Sequence, residues 1–382
     1  MRLSVVLLLA LFSIAVHAEW TPLQGHLKLQ AQTLDERVFG LADARLKADY
    51  QPDYSSPWRF RADYQVQSLF GEDLAQFNNQ IPNDDRQVFD LTHTLLNEDQ
   101  TLAVHRLDRL LVSYTQTDYS IHLGRQAFSW GQGQVFNPLD LFNPFAPTAW
   151  DTEYKSGSDM LHAQWLMASG DDVSLLWVPR RDTTSNKIET NQSSFAAFWR
   201  HFAQIETHLM LAKDYEDTVF GLSLSGNWLD GQWKMDLMPT WLENGETITS
   251  GILAYHQAWS WKNRSMSGFI EAFYNGFGET QSKLEFGQLN TELQKRILRG
   301  QLFTENRHYL SLGATTEITP LSTASLTLMQ NLDDTSQLLL LNGVYSLSDF
   351  QQLVGGLQIG IGDKHTEFDR DAVAYLQWAL YF

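Results

Sequence analysis

The chain has 382 residues, a formal net charge of −18 at pH 7 and no cysteine. The acidic excess argues against a nucleic-acid-binding protein and against binding to anionic surfaces through a basic patch. Without cysteine there is neither a disulfide framework nor thiolate chemistry. The mean hydropathy of −0.29 would by itself indicate a soluble protein, but a barrel whose lipid-facing and lumen-facing residues alternate gives the same average.

The N-terminus has the pattern of a secretory signal peptide. Arg2 supplies a positive charge, residues 3–16 are almost entirely apolar, and Ala18 places a small residue at the cleavage position. The apolar run is shorter than the roughly 20 residues that a membrane-spanning helix needs. We therefore predict a signal peptide at 1–18, cleaved after Ala18, followed by a single domain at 19–382.

Short segments of alternating polarity recur along the rest of the chain. In one of them, the face with Trp58 and Phe60 is apolar, whereas the face with Arg59 and Asp63 is too charged for lipid or for a packed core. Such a face suits a water-filled lumen. Most segments are close to the roughly 9–11 residues with which a tilted strand crosses a bilayer. We predict strands near 25–31, 44–50, 58–67, 87–95, 101–114, 118–127, 159–167, 172–179, 193–202, 205–213, 218–228, 232–241, 250–261, 264–274, 307–317, 321–329, 336–346, 351–361 and 371–382.

These segments predict an all-β fold, a transmembrane antiparallel up-and-down β-barrel. Because bacterial single-chain barrels have an even number of strands and nineteen segments are predicted, we expect about 18 strands, with 16 to 20 as the range. If the last strand runs to the periplasm, the short connections fall inside, and the long connections near 128–158, 180–192 and 275–306 fall outside. Only 68–86 falls on the wrong side, so we expect the miscounted strand among the first three.

The chain ends in mid-strand, on an aromatic residue. The last strand of an outer-membrane barrel pairs with the first to close the sheet. Trp378, Leu380 and Phe382 share the apolar face of this strand. We predict that they form the signal that the barrel assembly machinery recognises.

The segment 128–158 is apolar and aromatic, although the outer rim of a barrel should be polar. Asn137-Pro138 and Asn143-Pro144 fix turns in it. We expect the segment to fold inward, pack on the barrel wall and narrow the lumen; the alternative is that it caps the mouth or binds a partner. The candidate constriction or lumen residues are Arg106, Arg109, Arg125, Gln126, Trp130, Phe136, Asn137, Asp140, Phe142, Asn143, Asp151, Glu153 and Lys155.

The charged residues of this set predict an electric field across the lumen. Strict alternation on the strand 101–114 places Arg106 and Asp108 on one face and Arg109 on the other. Basic side chains on the wall, opposite the acidic side chains of 128–158, would produce a transverse field. The alternative is a set of ion pairs that ties the loop to the wall.

The sequence Gly124-Arg125-Gln126, followed by Trp130-Gly131 and by the run from Asn137 to Pro144, resembles uncharacterised proteobacterial outer-membrane proteins. These proteins are porin-like and distantly similar to alginate-export-type barrels. The resemblance covers the whole mature chain. It implies an outer-membrane barrel and no particular cargo.

We predict a channel for small solutes in the outer membrane of a Gram-negative bacterium. The alternative is a plugged barrel that acts as the outer-membrane partner of an inner-membrane exporter of lipid or polysaccharide. The expected partners are outer-membrane lipid, lipopolysaccharide and the barrel assembly machinery, and a homo-oligomer stays open. No nucleic-acid partner is expected.

We do not predict an enzyme. His122 with Ser113 or Ser120 supplies the residue types of a barrel hydrolase, and 363–371 supplies the acids and histidine of a barrel protease, but no flanking signature supports either. A barrel hydrolase is kept as a remote alternative. The sequence has no glycine-rich phosphate loop and no metal-binding spacing of His or Cys, so we predict no cofactor and no metal.

Overall fold

The alternating segments form strands, and each strand pairs with its neighbours in the chain. Alternation gives each strand one face for lipid and one for the interior. Eighteen antiparallel strands close into one barrel, which confirms the predicted fold class and strand number. The structure is a computed structural model that describes residues 19–20, 23–34, 37–72, 74, 82–149, 151–281 and 285–382. The predicted signal peptide at 1–18 lies outside the described residues.

The barrel strands are numbered in chain order, and their lengths are compatible with a single crossing of a bilayer. They are β1 (Gln24–Leu34), β2 (Arg37–Gln51), β3 (Trp58–Phe70), β4 (Thr101–Thr115), β5 (Tyr119–Gln126), β6 (Ser158–Leu166), β7 (Asp172–Val178), β8 (Ser194–His201), β9 (Ile205–Asp214), β10 (Asp217–Trp228), β11 (Gly231–Trp241), β12 (Thr247–Trp261), β13 (Arg264–Tyr274), β14 (His308–Thr319), β15 (Ser322–Asn331), β16 (Gln337–Ser348), β17 (Gln351–Ile361) and β18 (Val373–Tyr381).

The barrel closes between its first and last strands. β1 pairs with β18 on one side and with β2 on the other, so that Leu29 lies opposite both Trp378 and Ala42. Just beyond β18, the N–H of Phe382 donates to the carbonyl of Gly25 at 3.1 Å, and the N–H of Gly25 donates back at 2.8 Å. The pairing of the last strand with the first, expected from the chain terminus, is therefore present.

One predicted strand is not part of the barrel wall. The segment predicted at 87–95 forms an accessory strand, Thr92–Glu98, which pairs with β4 between residues 101 and 106. It can do so because β5 ends at Gln126 and pairs only with the other half of β4. The expectation that the miscounted strand lies among the first three is therefore wrong: the fourth is the extra one. Its removal from the count places 71–100 at the same end as the other long connections.

Side chains alternate between an exposed apolar outer face and a polar inner face. In β18, Leu376 is 58% exposed, whereas the neighbouring Gln377 is 7% exposed. In β3, Tyr64 is 40% exposed and Asp63 is fully buried. Exposed apolar side chains continue around the barrel at Leu29, Leu46, Leu123, Leu175, Leu211, Leu253, Leu312 and Leu326. Such a pattern suits lipid outside and polar contents inside.

The two ends of the barrel differ in their connections. One end has short turns, with two residues each at 229–230, 262–263, 320–321 and 349–350. The other, which we call the long-loop end, carries 71–100, 127–157, 179–193, 275–307 and 362–372.

The connection 275–307 contains a helix, α1 (Thr291–Leu298). The side chain of Asn290 caps its first turn by accepting the N–H of Leu293 at 2.9 Å, and Leu293 is fully buried. Among the described residues, no helix is long and apolar enough to cross a membrane.

Candidate functional site

We call the connection 127–157 the inward segment; its described residues, all but 150, lie against the inner face of the barrel. The segment connects the end of β5 to the start of β6. Its hydrogen bonds reach inward-facing side chains of β11 and β13 on one side, and of β1, β2, β17 and β18 on the other. It therefore crosses the interior from wall to wall.

A buried carboxylate on β13 holds the middle of the inward segment. Glu271 accepts the backbone N–H groups of Gln134, Val135 and Phe136 at 2.6, 3.1 and 2.8 Å. Two strands away, Asp236 accepts the N–H of Gln132 at 3.2 Å. Because N–H groups bond to ionised carboxylates more strongly than to neutral acceptors, these two acids anchor the segment to the wall.

The apex of the inward segment is an aromatic contact. Phe136 is 4% exposed; its ring stacks on Phe273 at 4.6 Å between centroids and lies 5.4 Å from Tyr309. The turn that brings Phe136 there needs a residue without a side chain at Gly133, since a Cβ there would overlap the carbonyl of Phe136. The apex is thus fixed by shape as well as by hydrogen bonds.

The first part of the inward segment packs as an apolar core within the barrel. The Trp130 ring stacks on Phe198 of β8 at 4.7 Å and meets Phe142 edge-on at 5.8 Å. Leu293 of α1 belongs to the same cluster. Burying one such side chain contributes about 1.5–3 kcal/mol, so this part of the segment is firmly attached.

The two predicted Asn-Pro turns are held by their asparagine side chains. The Nδ2 of Asn137 donates to the carbonyl of Trp130 at 2.8 Å. Asn143 has a φ of 54°, a left-handed conformation that asparagine tolerates better than most residues. Its Nδ2 donates to Ser158 Oγ at 2.6 Å.

Asp140 and Lys155 form a buried ion pair within the inward segment. The Lys155 Nζ lies 2.6 Å from each carboxylate oxygen, and it also donates to the Phe128 carbonyl at 2.6 Å and to Ser129 Oγ at 2.7 Å. Burial raises the pKa of Asp140 to about 6, against the opposing effect of Lys155. Burial also lowers the pKa of Lys155. Lys155, near the end of the segment, is thereby joined to its middle at Asp140 and to its start at Phe128 and Ser129.

Inward-facing cations line the first four strands; we call this surface the cationic wall. Its centre is Asp108, whose carboxylate binds Arg45, Arg106 and Arg109 at 2.6, 2.7 and 2.6 Å. The wall consists of Lys28, Arg45, Lys47, Arg61, Arg106 and Arg109.

A β-bulge brings Arg109 to the cationic wall. Arg109 lies opposite Asp63, whereas Leu107 lies opposite the next residue, Tyr64, so Asp108 is an extra residue in β4. A bulge of this kind shifts the alternation by one position. The prediction that Arg109 faces away from Arg106 and Asp108 is therefore wrong, because strict alternation cannot detect an inserted residue.

The last part of the inward segment lies on the cationic wall. Lys28 Nζ lies 2.7 Å from Glu153 and also pairs with Asp151. The Tyr154 ring covers Arg45, with 4.5 Å from Cζ to the ring centroid, and its hydroxyl accepts a hydrogen bond from Lys47.

The acidic side chains of the inward segment are paired. Asp140 binds Lys155 and Glu153 binds Lys28, while Arg109 reaches the segment through the carbonyl of Lys155 at 2.5 Å. These are the ion pairs that the sequence left open as an alternative to a free transverse field.

Arg125 and Gln126 lie where β5 ends, away from the cationic wall. Arg125 is 1% exposed and binds Asp159 at 2.9 Å and Asp84 at 2.7 Å, so it fixes the connection 71–100 to the barrel. The Gln126 side chain donates to the carbonyl of His122 at 3.3 Å.

The hydrolase candidates come together without the geometry of a catalytic triad. The two ring nitrogens of His122 pair with Ser113 Oγ at 2.8 Å and with Ser120 Oγ at 3.1 Å. In a catalytic triad one ring nitrogen of the histidine bonds to a carboxylate and the other to the nucleophile, whereas here hydroxyls bond to both nitrogens. The arrangement is that of a lumenal hydrogen-bonding group.

Sequence reasoning missed the wall side of the site, above all Glu271, Lys28 and Arg45. The sequence did contain a signal for Glu271. It is the only acidic residue of β13, in which Arg264 is the only other charged residue. A lone acid at an inward position indicates a specific partner, because a buried charge must be paired. The other two are ordinary in a lumenal face and carry no such signal.

The described residues define a closed antiparallel barrel of 18 strands. No protein-family model matches the sequence, and no curated protein matches it.

Similar solved structures include OccK5 (OpdH) of Pseudomonas aeruginosa, with 9% identity over 96% of this chain and 98% of that chain and a TM-score of 0.57. A BenF-like porin from Pseudomonas fluorescens has 7% identity over 96% and 98% and a TM-score of 0.55. The outer membrane protein OpdK of Pseudomonas aeruginosa has 7% identity over 94% and 98% and a TM-score of 0.53. At these identities the similarity concerns the fold.

Proposed function

We infer that the protein is an outer-membrane channel for small solutes, narrowed by the inward segment. The apolar outer belt fits lipid, and the polar inner face fits water and polar solutes. The similar structures include a protein described as a porin and one described as an outer membrane protein. The channel would work in the outer membrane of a Gram-negative bacterium after removal of 1–18.

We base the proposal on the attachment of the inward segment to two widely separated parts of the barrel wall. Glu271 holds its middle on β13, and Lys28 holds its last part on β1 through Glu153. A segment fixed at both sides reduces the cross-section for solutes. The cationic wall and the carboxylates beside it would orient charged or dipolar solutes at that level.

Trp378 and Leu380 of β18, with Phe382 just beyond it, would form the assembly signal of the barrel. The barrel assembly machinery would recognise this strand, and lipopolysaccharide and phospholipid would surround the outer belt. The distant similarity to alginate-export-type barrels stays a prediction, as does a homo-oligomer.

A second candidate is the plugged barrel that serves an inner-membrane exporter of lipid or polysaccharide. The apolar core of Trp130, Phe142, Phe198 and Leu293 favours it, because packed side chains in the interior leave less room for solute. The two candidates differ in whether the native protein conducts ions.

Planar-bilayer recordings of the purified protein test both candidates. The channel proposal expects discrete conductance steps from the native protein, and larger steps when 136–150 is replaced by a short glycine–serine linker. A native protein that is silent, with large steps only after the replacement, would identify a plug. A matched control replaces the exposed residues 183–186 of another long-loop connection. Heat-modifiable migration on gels shows that each variant has folded, and silence of native and replaced proteins alike would contradict the channel.

A further inference from the structure

Three connections at the long-loop end meet at Glu367, through its side-chain carboxyl group and its backbone N–H. It accepts the backbone N–H of Glu305 at 3.1 Å, the Nδ2 of Asn331 at 2.7 Å and the hydroxyl of Tyr309. The backbone N–H of Glu367 donates to Asp334 at 2.7 Å. Glu367 therefore joins the connection 362–372 to 275–307, to the turn 332–336 and to the ends of β14 and β15. We call this junction the loop clasp.

The groups that face Glu367 are mostly acidic. Glu305 comes from 275–307 and Asp334 from 332–336, and Glu279 and His365 line the same small pocket. Arg370, on the same connection as Glu367, is the cation whose electrostatic interaction with it is favourable. The hydroxyl of Tyr309 and the amide of Asn331 complete the surroundings. An ionised Glu367 therefore meets two or more carboxylates in a partly desolvated position.

Burial and the negative charges of Glu305 and Asp334 raise the pKa of Glu367 to about 8, although the hydrogen bonds from Tyr309 and from the Glu305 backbone oppose this. Burial and Asp334 also raise the pKa of Glu305. At neutral pH the closed clasp thus favours a proton on this carboxyl group.

The loop clasp is connected to the apex of the inward segment through one residue. Tyr309 donates its hydroxyl proton to Glu367, while its ring lies 5.4 Å from the ring of Phe136. Phe368, next to Glu367, belongs to the same apolar cluster as Phe136 and Tyr309. Displacement of 362–372 would therefore remove part of the surface on which Phe136 rests.

We propose that the loop clasp is a proton-dependent switch: protonated Glu367 keeps the three connections closed over the barrel, and loss of that proton releases them and loosens the apex of the inward segment. The effect on conductance rests on the proposed channel function, whereas the opening of the clasp does not.

The direction of the pH dependence follows from the proton that the closed state retains. In an open clasp, Glu367 would titrate near the ordinary value for glutamate, roughly 4.3. Below that pH the proton costs nothing and the clasp is fully stable. Between that pH and about 8 the closed state becomes less favourable with each unit of pH. Above about pH 8 the clasp is weakest.

Thiol labelling tests the opening directly, because the native chain has no cysteine. Phe368→Cys places a thiol at a position that is 6% exposed, and Lys364→Cys places a reference thiol at an exposed position of the same connection. The labelling rate by a membrane-impermeant maleimide at 368, divided by the rate at 364, removes the intrinsic pH dependence of thiolate formation. Thr366→Cys, also at a buried position, replaces Phe368→Cys if that variant does not fold.

We expect this ratio to rise at least about tenfold between pH 5 and pH 9. A tenfold rise corresponds to a difference of one unit between the pKa of Glu367 in the closed and the open clasp. Glu367→Gln, which stays neutral, should make the ratio low and independent of pH. Glu216→Gln, at an exposed position on another connection, is the matched control and should preserve the rise. A ratio that does not rise, or that rises equally in Glu367→Gln, would overturn the proposal.

Conductance recordings over the same pH range test the connection to the inward segment. The conductance or its fluctuation should increase with pH in the native protein and stay constant in Glu367→Gln. If the bilayers are silent but the labelling ratio rises with pH, the channel function fails and the loop clasp stands. If conductance steps are present and neither conductance nor labelling responds to pH, the loop clasp fails and the channel function stands.

Discussion

At the scale of single residues, the buried charges of the inward segment decide whether it stays in place. Asp140 and Lys155 are 6% and 7% exposed as side chains. Removing one partner leaves the other charge desolvated without compensation, and this costs more than the pair itself contributes. The pair is thus more important for holding the segment in one conformation than for net stability.

Asp140→Ala should lower the free energy of unfolding by about 3–5 kcal/mol, since it leaves the Lys155 ammonium group buried and unpaired. Urea unfolding in detergent micelles, followed by tryptophan fluorescence, measures the loss. The double variant Asp140→Ala/Lys155→Met should be more stable than Asp140→Ala alone, because it removes both charges. Glu243→Ala, at an exposed position, serves as the control. Additive losses in the double variant would contradict this account.

The aromatic pattern of the inward segment predicted that it folds inward, but it did not predict which side chains of the wall the segment contacts. Trp130 and Phe142 could be identified because aromatic residues in an outer loop need an apolar environment. Arg109 was assigned to the wrong face, since the bulge at Asp108 depends on how β4 pairs with β3. Long-range pairing of this kind leaves no mark in a single strand.

At the scale of elements, the inward segment is held by strands that are distant in sequence. Glu271 is separated from its three backbone partners by at least 135 residues in the chain. The sequence contains the segment and the acid, but the closure of the barrel is what places β13 opposite the end of β5. The docking of the segment is therefore a property of the barrel as much as of the loop.

Glu271→Gln should loosen the apex of the inward segment with little change in volume. The glutamine amide offers one acceptor oxygen and directs an NH₂ group at N–H donors, so at least one backbone N–H loses its partner, at a cost of about 1–3 kcal/mol. Single-channel recordings should show more frequent excursions to higher conductance. Glu206→Gln, which changes a lumenal acid that pairs with His208, is the matched control. Traces identical to the native protein would show that Glu271 does not anchor the segment.

The accessory strand explains where the sequence-based strand count failed. Thr92–Glu98 pairs antiparallel with β4, with a register shift between Thr94 and Leu96, and its side chains are exposed except for the half-buried Thr92. It differs from a wall strand because it occupies the edge of β4 that is left free where β5 ends early and the inward segment begins. Strand propensity alone cannot distinguish a wall strand from one that fills a position left by another element.

At the scale of the whole molecule, the inward segment also bridges the closure between the first and last strands. Glu153 pairs with Lys28 of β1 at 2.7 Å and accepts the hydroxyl of Tyr381 of β18 at 3.0 Å. The sequence predicted the closure from the terminal strand, because a barrel has no free edge. It did not predict that a loop residue would join the two strands from inside.

Glu153→Gln should weaken this closure, since glutamine loses the ion pair with Lys28 while it can still accept from Tyr381. Glu153 is 38% exposed as a side chain, and solvent screening therefore limits the expected loss to about 1 kcal/mol. A disulfide between Gln30→Cys and Gln377→Cys, which are register partners across the closure, should cancel that loss if unfolding begins by separation of β1 from β18. A disulfide between Ser225→Cys of β10 and Lys234→Cys of β11, which are also register partners, should not cancel the loss. Urea midpoints in micelles decide the question: equal rescue by both crosslinks, or by neither, would mean that unfolding starts elsewhere and that Glu153 acts only on the inward segment.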